Sequence, residues 1–499
     1  MKKQLLSALL LSALLLASCG AEAVGNTPAA ETTAAAVQTE AETAAETSEY
    51  TAPGKKFDGE EFKILDYDTD DYFWHAATYS DINSDGENGD PINDAQYRRN
   101  ILVEEELGIK LATHPVSGVS RTVNAPEFSK LIMAGDDTLD AGFLFNGELK
   151  KLLADHSMTY DLFDIPTLNT DASWWDATLR DEFTLFGELH MISGDISLYS
   201  QYAPLMIFFN KTLVENHSFG DLYAMVRDGS WTSDKMIEMC RAAAADLNGD
   251  GKMDVEDCYG MGLQTSLVAN FAFSSGVRYT KRTADGIEPI PINERTAKII
   301  ETYSPFVCDT SINNVTKQFS GRFKNVFYEL HIPLFEDNRM LFNYNQLLIL
   351  FELREMEMDF GLVPVAKFDE AQDEYITEVS TSWATSLMVP ATNPNLELTG
   401  YVLDALGYYS QQLVTPAFID TTVRYKAIRD EDSAEMLELI LNTRSYDIAQ
   451  FYNWGGLISM IQTLGSTGST DIASGYAAIE EKIKTEIAAT LADIQGNGK

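Results

Sequence analysis

Glu61-Phe62-Lys63-Ile64-Leu65-Asp66-Tyr67 opens the part of this 499-residue chain that can fold. Phe62 and Ile64 share one face of an extended segment, and Leu65 and Tyr67 share the other with Lys63. A short run apolar on both sides reads as a strand buried in a sheet. Asn93 or Asp94 can cap a helix running to about Leu107, with Gly108 ending it. Ile109-Lys110-Leu111 starts the next strand. A second helix, from about Glu127 to Met133, leads through Ala134-Gly135-Asp136-Asp137 to the strand Leu139-Asp140-Ala141-Gly142-Phe143. Strands alternating with helices predict an α/β layer with a mostly parallel sheet.

The theme returns further along. Leu205-Met206-Ile207-Phe208-Phe209-Asn210 reads as a buried strand. Ser230-Trp231-Thr232-Ser233 caps a helix to about Ala245. Met358 to Pro364 and Leu387-Met388-Val389-Pro390 are two more short strands, each stopped by proline, and Ser433–Leu441 and Tyr476–Leu491 are helical. No repeat of fixed period is present.

Upstream of Glu61 the chain changes character. Residues 20 to about 53 are Ala, Glu, Thr and Ser with almost no large apolar side chain, too little to offset the entropy of ordering, so they predict a disordered tether. Before it, Lys2 and Lys3 precede the apolar run Leu5–Leu16, shorter than the roughly 20 residues that span a bilayer. This is the form of an export signal. Leu16-Ala17-Ser18-Cys19-Gly20 resembles the lipobox of bacterial lipoproteins, which implies cleavage before Cys19, a lipid on its sulfur and attachment to the membrane. The alternative is an ordinary signal with a chance cysteine.

Roughly 445 residues remain, too many for one core, so two lobes are expected. The formal charge is -40, and more negative still once Lys2 and Lys3 are removed. Such a surface excludes nucleic acid and anionic headgroups as partners. Beside Cys19 only Cys240, Cys258 and Cys308 occur. Three cysteines cannot all pair; a Cys240–Cys258 bridge is one reading, three thiols buried as small apolar groups the other.

The most specific chemistry is Asp246-Leu247-Asn248-Gly249-Asp250-Gly251-Lys252-Met253-Asp254-Val255-Glu256-Asp257. Oxygen-bearing side chains recur at positions one (Asp246), three (Asn248), five (Asp250), nine (Asp254) and twelve (Asp257), with glycine at six. Lys252 at position seven offers its carbonyl. This is the pattern of a loop that wraps calcium, a hard ion taking 6–8 oxygens. Asp257 replaces the usual final glutamate, and no second helix is evident after it. A single loop without a paired partner points to a structural ion; a metal-free polar turn is the alternative. One mid-chain loop also resembles half of a dockerin, which carries two.

Catalytic signatures are missing. His75, His114, His156, His190, His217 and His331 form no His-Glu-x-x-His pair, and no nucleophile elbow, phosphate loop or dinucleotide fingerprint occurs. Aromatic rings are plentiful: Trp74, Trp174, Trp175, Trp231, Trp383, Trp454 and 22 tyrosines. Their faces suit the apolar patches of sugar rings, while Asp and Asn bond hydroxyls. Trp231, at a helix start, reads as core, whereas Trp74, Trp383 and Trp454 stand in polar, loop-like surroundings.

The order of Ala134-Gly135-Asp136 with Asp140, Phe208-Phe209-Asn210-Lys211, Gly229-Ser230-Trp231-Thr232 and Asp359-Phe360-Gly361 through Pro364, behind a lipobox and tether, resembles the extracellular solute-binding proteins of ABC importers, in the group that includes maltose- and oligosaccharide-binding proteins. The resemblance implies two α/β lobes of the periplasmic-binding-protein kind, joined by hinge crossovers around a cleft. The expected divisions are 1–18 signal, 19–56 lipidated cysteine and tether, 57–204 plus 378–424 lobe one, and 205–377 plus 425–499 lobe two. Crossovers fall shortly before Leu205, near Glu378 and near Arg424. Trp74, Tyr199, Tyr202, Trp383 and Trp454 are the expected ligand contacts, and calcium the expected structural ion. The implied protein is an extracytoplasmic, lipid-anchored monomer, not an enzyme, that hands a sugar to ABC permease subunits. A secreted glycoside hydrolase and a calcium-dependent carbohydrate-adhesion or scaffold protein are the alternatives.

Overall fold

The chain, seen in a computed structural model, is described over residues 50–67, 80–82, 86–116, 122–283, 286–353, 356–419 and 430–497. Cys19, the export segment, Trp74 and Arg424 lie outside the described residues. The strands are β1 (Glu61–Tyr67), β2 (Lys110–Val116), β3 (Ala141–Phe145), β4 (Leu205–Asn210), β5 (Tyr259–Leu263), β6 (Thr280–Thr283), β7 (Gly286–Pro289), β8 (Asn313–Val315), β9 (Met340–Gln346), β10 (Phe360–Val363), β11 (Thr377–Glu378), β12 (Thr385–Met388) and β13 (Arg444–Ser445).

Two main sheets form. The first has the order β12-β3-β1-β2, the second β10-β4-β9-β5-β8. In the first, β1 runs parallel to β2 and β3, and β12 is antiparallel to β3. In the second, β5 is parallel to β8 and β9, while β4 is antiparallel to β9 and β10. The sheets are therefore mixed, not mostly parallel. β4 and β12 are the strands by which the chain arrives from the other sheet, so no helical crossover forces them parallel.

The opening strand keeps Phe62, Ile64, Leu65 and Tyr67 buried. The helix after it, Pro91–Leu107, begins earlier than expected. Asp90, not Asn93 or Asp94, caps it, its Oδ1 accepting from the Ile92 and Asn93 amides at 3.0 and 3.1 Å. Pro91 fills the first position, where its missing N–H costs nothing. Gly108 closes the helix with φ 65°, a left-handed conformation suited to glycine. Trp231 is core: it is buried, and its indole N–H donates to the Pro364 carbonyl at 2.9 Å, tying the start of the helix Ser233–Ala243 to the exit of β10. Cys240 and Cys258 are buried free thiols; Cys308 is only partly buried.

The chain passes between the sheets beside itself. Pro204 pairs antiparallel with Val379, and the Ser380 amide donates to the Ala203 carbonyl at 3.0 Å. β13 then adds to β11 in parallel, with Thr377 donating to Thr443 at 2.9 Å. Three strand segments thus lie side by side between the lobes. Beyond them the chain does not stay with the second sheet. Tyr446 donates to Asp176 at 2.8 Å and Tyr452 to the Leu153 carbonyl at 3.0 Å, and the helix Ile472–Asn497 packs on both β7 and the helix Lys150–Ala154. Residues 446–494 therefore touch both lobes, not the second alone.

Gly260 shows how tightly the second sheet is covered. A Cβ there would stand 2.4 Å from the Cys240 carbonyl and 2.5 Å from its Cα, both on the helix Ser233–Ala243. Gly260→Ala is expected to cost about 2–3 kcal/mol through overpacking, read as a lower denaturant midpoint at unchanged slope.

Candidate functional site

A cavity of about 700 Å³ opens where the second sheet meets the crossovers. Gln264 follows β5 directly, Gln346 ends β9, Leu205 begins β4 and Glu378 ends β11. The turn Ser380-Thr381-Ser382-Trp383, on the way back to β12, forms another wall. Opposite stands the segment from Thr316 to Tyr328, which supplies Phe323, Phe327 and Tyr328; Gln450 and Gln462 come from the C-terminal helices. Outside the carboxyl ends of strands, at a change of chain direction, is where open α/β sheets hold their ligands.

The walls are amide, hydroxyl and aromatic. Gln264, Asn270, Asn345, Gln346, Gln450 and Gln462 provide paired donors and acceptors. Among the described residues lining the cavity, Lys317, Lys324 and Glu378 carry ionisable groups of the lysine or carboxyl kind. The lysines are exposed at the rim and Glu378 is buried. Tyr344 turns a buried hydroxyl with no hydrogen-bond partner among the described residues, and Glu378 Oε2 likewise lacks a bond of good geometry, although Gln450 stands beside it. Unsatisfied buried polar atoms beside a cavity leave it with hydrogen-bonding capacity that water or a polar ligand can take up.

No known family's sequence model matches the chain, and no curated protein matches it. Solved structures do match in shape. One is the cyclic alpha-maltosyl-1,6-maltose binding protein of Arthrobacter globiformis, 12% identical, with a TM-score of 0.56 over 86% of this chain and 99% of that one. An ABC substrate-binding protein of Listeria monocytogenes in complex with cycloalternan is 11% identical, with a TM-score of 0.55 over 86% and 100%. The maltose/maltodextrin-binding domain of Bdellovibrio bacteriovorus, bound to maltotriose, is 13% identical, with a TM-score of 0.53 over 86% and 100%. The chain has the two-lobed periplasmic-binding-protein fold.

Within that fold the expected contacts separate. Trp383 lines the cavity, half-buried in the turn before β12. Trp454 does not: it is buried, stacked on Tyr452 with ring centroids 4.6 Å apart, and its indole N–H donates to Thr490 at 2.9 Å. Tyr199 and Tyr202 are buried in the short helix before the first crossover. Tyr199 packs edge-on to Tyr67 and Phe145, and Tyr202 to Phe351 and Phe418. All three rings are placed in packing because each finds apolar neighbours on several sides. The cavity-lining amides Gln264, Asn270, Gln346, Gln450 and Gln462, and Glu378 beside them, were not singled out by the sequence. The signal for two of them was positional: Gln264 and Gln346 stand at the carboxyl ends of strands.

The loop Asp246–Asp257 leaves the helix Ser233–Ala243 and enters β5, so a strand stands where a calcium-binding hand has its second helix. Ala245 and Cys258 close it as an antiparallel bridge. Asp246 accepts from the Gly249 and Gly251 amides at 2.7 and 2.8 Å, and Gly251 takes φ 80°, as the sixth position requires. Asn248 accepts from Asp250 N–H, and Asp250 from Lys252 N–H. Asp254 accepts from Glu256 N–H, while buried Asp257 accepts from Leu247 and Asp254. The loop's side chains are bonded to its own backbone amides, and no three of its carboxylates lie within 4.8 Å of one another. Gln318 and Arg339 donate to the Met253 and Val255 carbonyls, which ties the loop to the cavity wall at Thr316–Phe319 and to the start of β9.

Glu378 sets the electrostatics of the cavity floor. Burial pushes its carboxyl from 4.5 up to about 7, against the pull of the Asn270 amide bonded at 2.7 Å. A raised folded-state value means that its contribution to stability is complete below about pH 4.5 and lost as pH rises through about 7. Between pH 5 and 8 this group should cost the protein about 2 kcal/mol. In Glu378→Gln that part of the decline should vanish, so the variant gains on the wild type at pH 8 and hardly at pH 5 in denaturant titrations. Parallel curves at both pH values would show that Glu378 is ionised throughout.

Proposed function

We propose that the protein is an extracytoplasmic solute-binding lipoprotein that captures a sugar or oligosaccharide and presents it to an ABC importer. The observation that carries the reading is the cavity: about 700 Å³, walled by amides, hydroxyls, Trp383, Phe323, Phe327 and Tyr328, at the meeting of the two lobes. That volume lies within the roughly 300–1,000 Å³ of small-molecule sites. A neutral, polyhydroxylated ligand matches walls with many paired donors and acceptors and few charges. The matching proteins of Listeria and Bdellovibrio hold cycloalternan and maltotriose, which supports the same class.

The glycosidase alternative needs two carboxyls about 5–9.5 Å apart across the scissile bond. Among the described residues lining the cavity Glu378 is the one carboxylate, and it is buried. That favours affinity as the output. Among the described residues no helix is long and apolar enough to cross a membrane, and attachment through a lipid on Cys19 with the tether behind it fits delivery to a permease. Ligand touching both lobes would favour the closed arrangement by its differential affinity, and the importer would read that arrangement.

Calcium in the loop Asp246–Asp257 would be structural in this reading. It would draw Asp246, Asn248, Asp250, Asp254 and Asp257, with the Lys252 carbonyl, around one ion and stiffen the wall that carries Phe323 and Tyr328.

Two measurements test this. In a thermal-shift screen, a maltodextrin or another oligosaccharide should raise Tm saturably and be recovered intact, and Trp383→Ala should weaken its binding at least tenfold while barely moving the ligand-free Tm. Trp454→Ala, by contrast, should cost about 3–5 kcal/mol of stability as a buried large-to-small change. A response to peptides alone, or hydrolysis of the sugar, would overturn the assignment. Separately, chelation should lower Tm by several degrees and calcium restore it, and Asp246→Asn with Asp250→Asn should abolish that response; a Tm indifferent to chelator would leave the loop a metal-free turn.

A further inference from the structure

Away from the cavity, the first lobe brings together two of the histidines that lie far apart in sequence. His156 begins the one-turn helix His156–Met158, held by Asp155 accepting from the Ser157 amide. Glu188 closes the tight turn Leu185-Phe186-Gly187-Glu188, whose ends exchange backbone bonds of 3.0 and 2.9 Å. His190 follows on an extended segment that pairs with β12 through Ile192 and Leu387. Leu162 donates to the Leu189 carbonyl at 2.7 Å, and Asp161 accepts from Leu189, so backbone bonds hold both arms.

One donor atom from each of His156, Glu188 and His190 lies within 4.8 Å of the other two. His156 Nδ1 is 2.8 Å from Glu188 Oε2, and His190 Nε2 is 3.5 Å from the same oxygen. Two nitrogens and one oxygen around a tetrahedral zinc stand about 3.3 Å apart, given bonds near 2.0–2.1 Å. The imidazoles are buried, with ring centroids 3.7 Å apart. His190 Nε2 is buried and has no hydrogen-bond partner of proper geometry among the described residues. Its other nitrogen, Nδ1, is 2.9 Å from Thr159 Oγ1. A threonine accepting from Nδ1–H fixes the tautomer that aims the Nε2 lone pair at an ion, the usual outer support of a metal-bound histidine. Glu188 keeps 29% of its side chain exposed, which leaves a fourth position open to water and a path of entry.

We infer that His156, Glu188 and His190 form a site for one zinc ion or a similar borderline transition metal, with water as fourth ligand. Two imidazoles and a carboxylate suit zinc better than calcium, which prefers an all-oxygen set, so this site and the Asp246 loop differ in the ion they select. The ion would clamp the 185–188 turn to the His156 helix. Just upstream of that turn, the Glu182 and Thr184 carbonyls receive the Arg282 guanidinium from β6, so the clamp braces a contact between the lobes.

The test uses the full chain, stripped with chelator and resupplied with calcium so that the loop is not a competitor. Cobalt(II) alone should bind at one equivalent with the intense visible bands of a four- or five-coordinate ion and without thiolate charge transfer, which separates the site from Cys240, Cys258 and Cys308. Zinc should displace it and raise Tm, and His190→Gln should weaken binding at least tenfold. Equal binding by wild type and His190→Gln, or no cobalt spectrum at one equivalent, would overturn the site. Should His190→Gln fail to fold, Glu188→Gln replaces it, and zinc-edge absorption of the wild-type protein reads the ligands directly: imidazole scattering supports the assignment and its absence ends it. Because the sugar screen does not involve these residues, failure here leaves the solute-binding reading standing, and the reverse also holds.

Discussion

The structure turns on the antiparallel contact between Pro204 and Val379. A chain that builds a second sheet between two halves of the first lobe must cross the gap twice, and these crossings lie against each other. Their bond, Ser380 N–H to the Ala203 carbonyl, fixes where β4 leaves and where β12 returns. Both neighbouring strands are antiparallel in their sheets for this reason. β11 ends at the same place, so Glu378 lands on the floor of the cavity, and the turn that follows puts Trp383 on its wall. The cavity is therefore a consequence of the crossing, and rotation of one lobe about this strip would change its width while leaving each sheet intact.

The strip also gathers charge that a core would normally reject. Glu378 and Asp447 are buried there, with Arg278 half-buried beside β13. Arg278 donates to Ser445 of β13 at 3.1 Å and lies 4.0 Å over the Phe273 ring, while Asp447 accepts from the Tyr279 and Ala449 amides. Burial holds both carboxyls above their ordinary values and Arg278 below its own. Such groups are costly to bury unless bonded, and here the bonds join elements from different parts of the chain: the segment 273–279, β11 and the stretch after β13. The polar joint costs stability where its charges are buried, and its bonds are directional.

How much of this could be read from sequence depends on whether the signal is local. The strands at Glu61 and Leu205 were legible because their apolar residues report burial by type, although Asp66 and Asn210 are buried with them, and the helix that Pro91 opens needed only a better choice of cap: Asp90 precedes the proline, which favours it over Asn93 or Asp94. The mixed sheets were not legible, since strand direction is set by the crossings and these depend on partners more than 170 residues away (Pro204 with Val379). The calcium-type loop was legible as a turn, because its side chains bond amides two to five residues along. The histidine cluster was invisible: residues 156 and 190 share no spacing rule, and only the flanking bonds to Leu189 and β12 bring them together.

The aromatic residues make the sharpest case. Trp383 and Trp454 both stand among serine, asparagine and glycine, and local polarity treated them alike. Their fates differ because of what the fold brings to each. Trp454 is met by Tyr452 on its face and by Thr490 at its nitrogen, the latter from a helix some 36 residues on, so ring and N–H are both satisfied inside. Trp383 sits on a turn pinned by its own amide to Ser380, with the cavity before it. A tryptophan offers a large apolar area and a single donor, and packing takes it whenever both can be matched. Where the crossing holds the backbone at the cavity, a tryptophan can be left facing it, and in this chain Trp383, in the turn after Glu378, meets that condition.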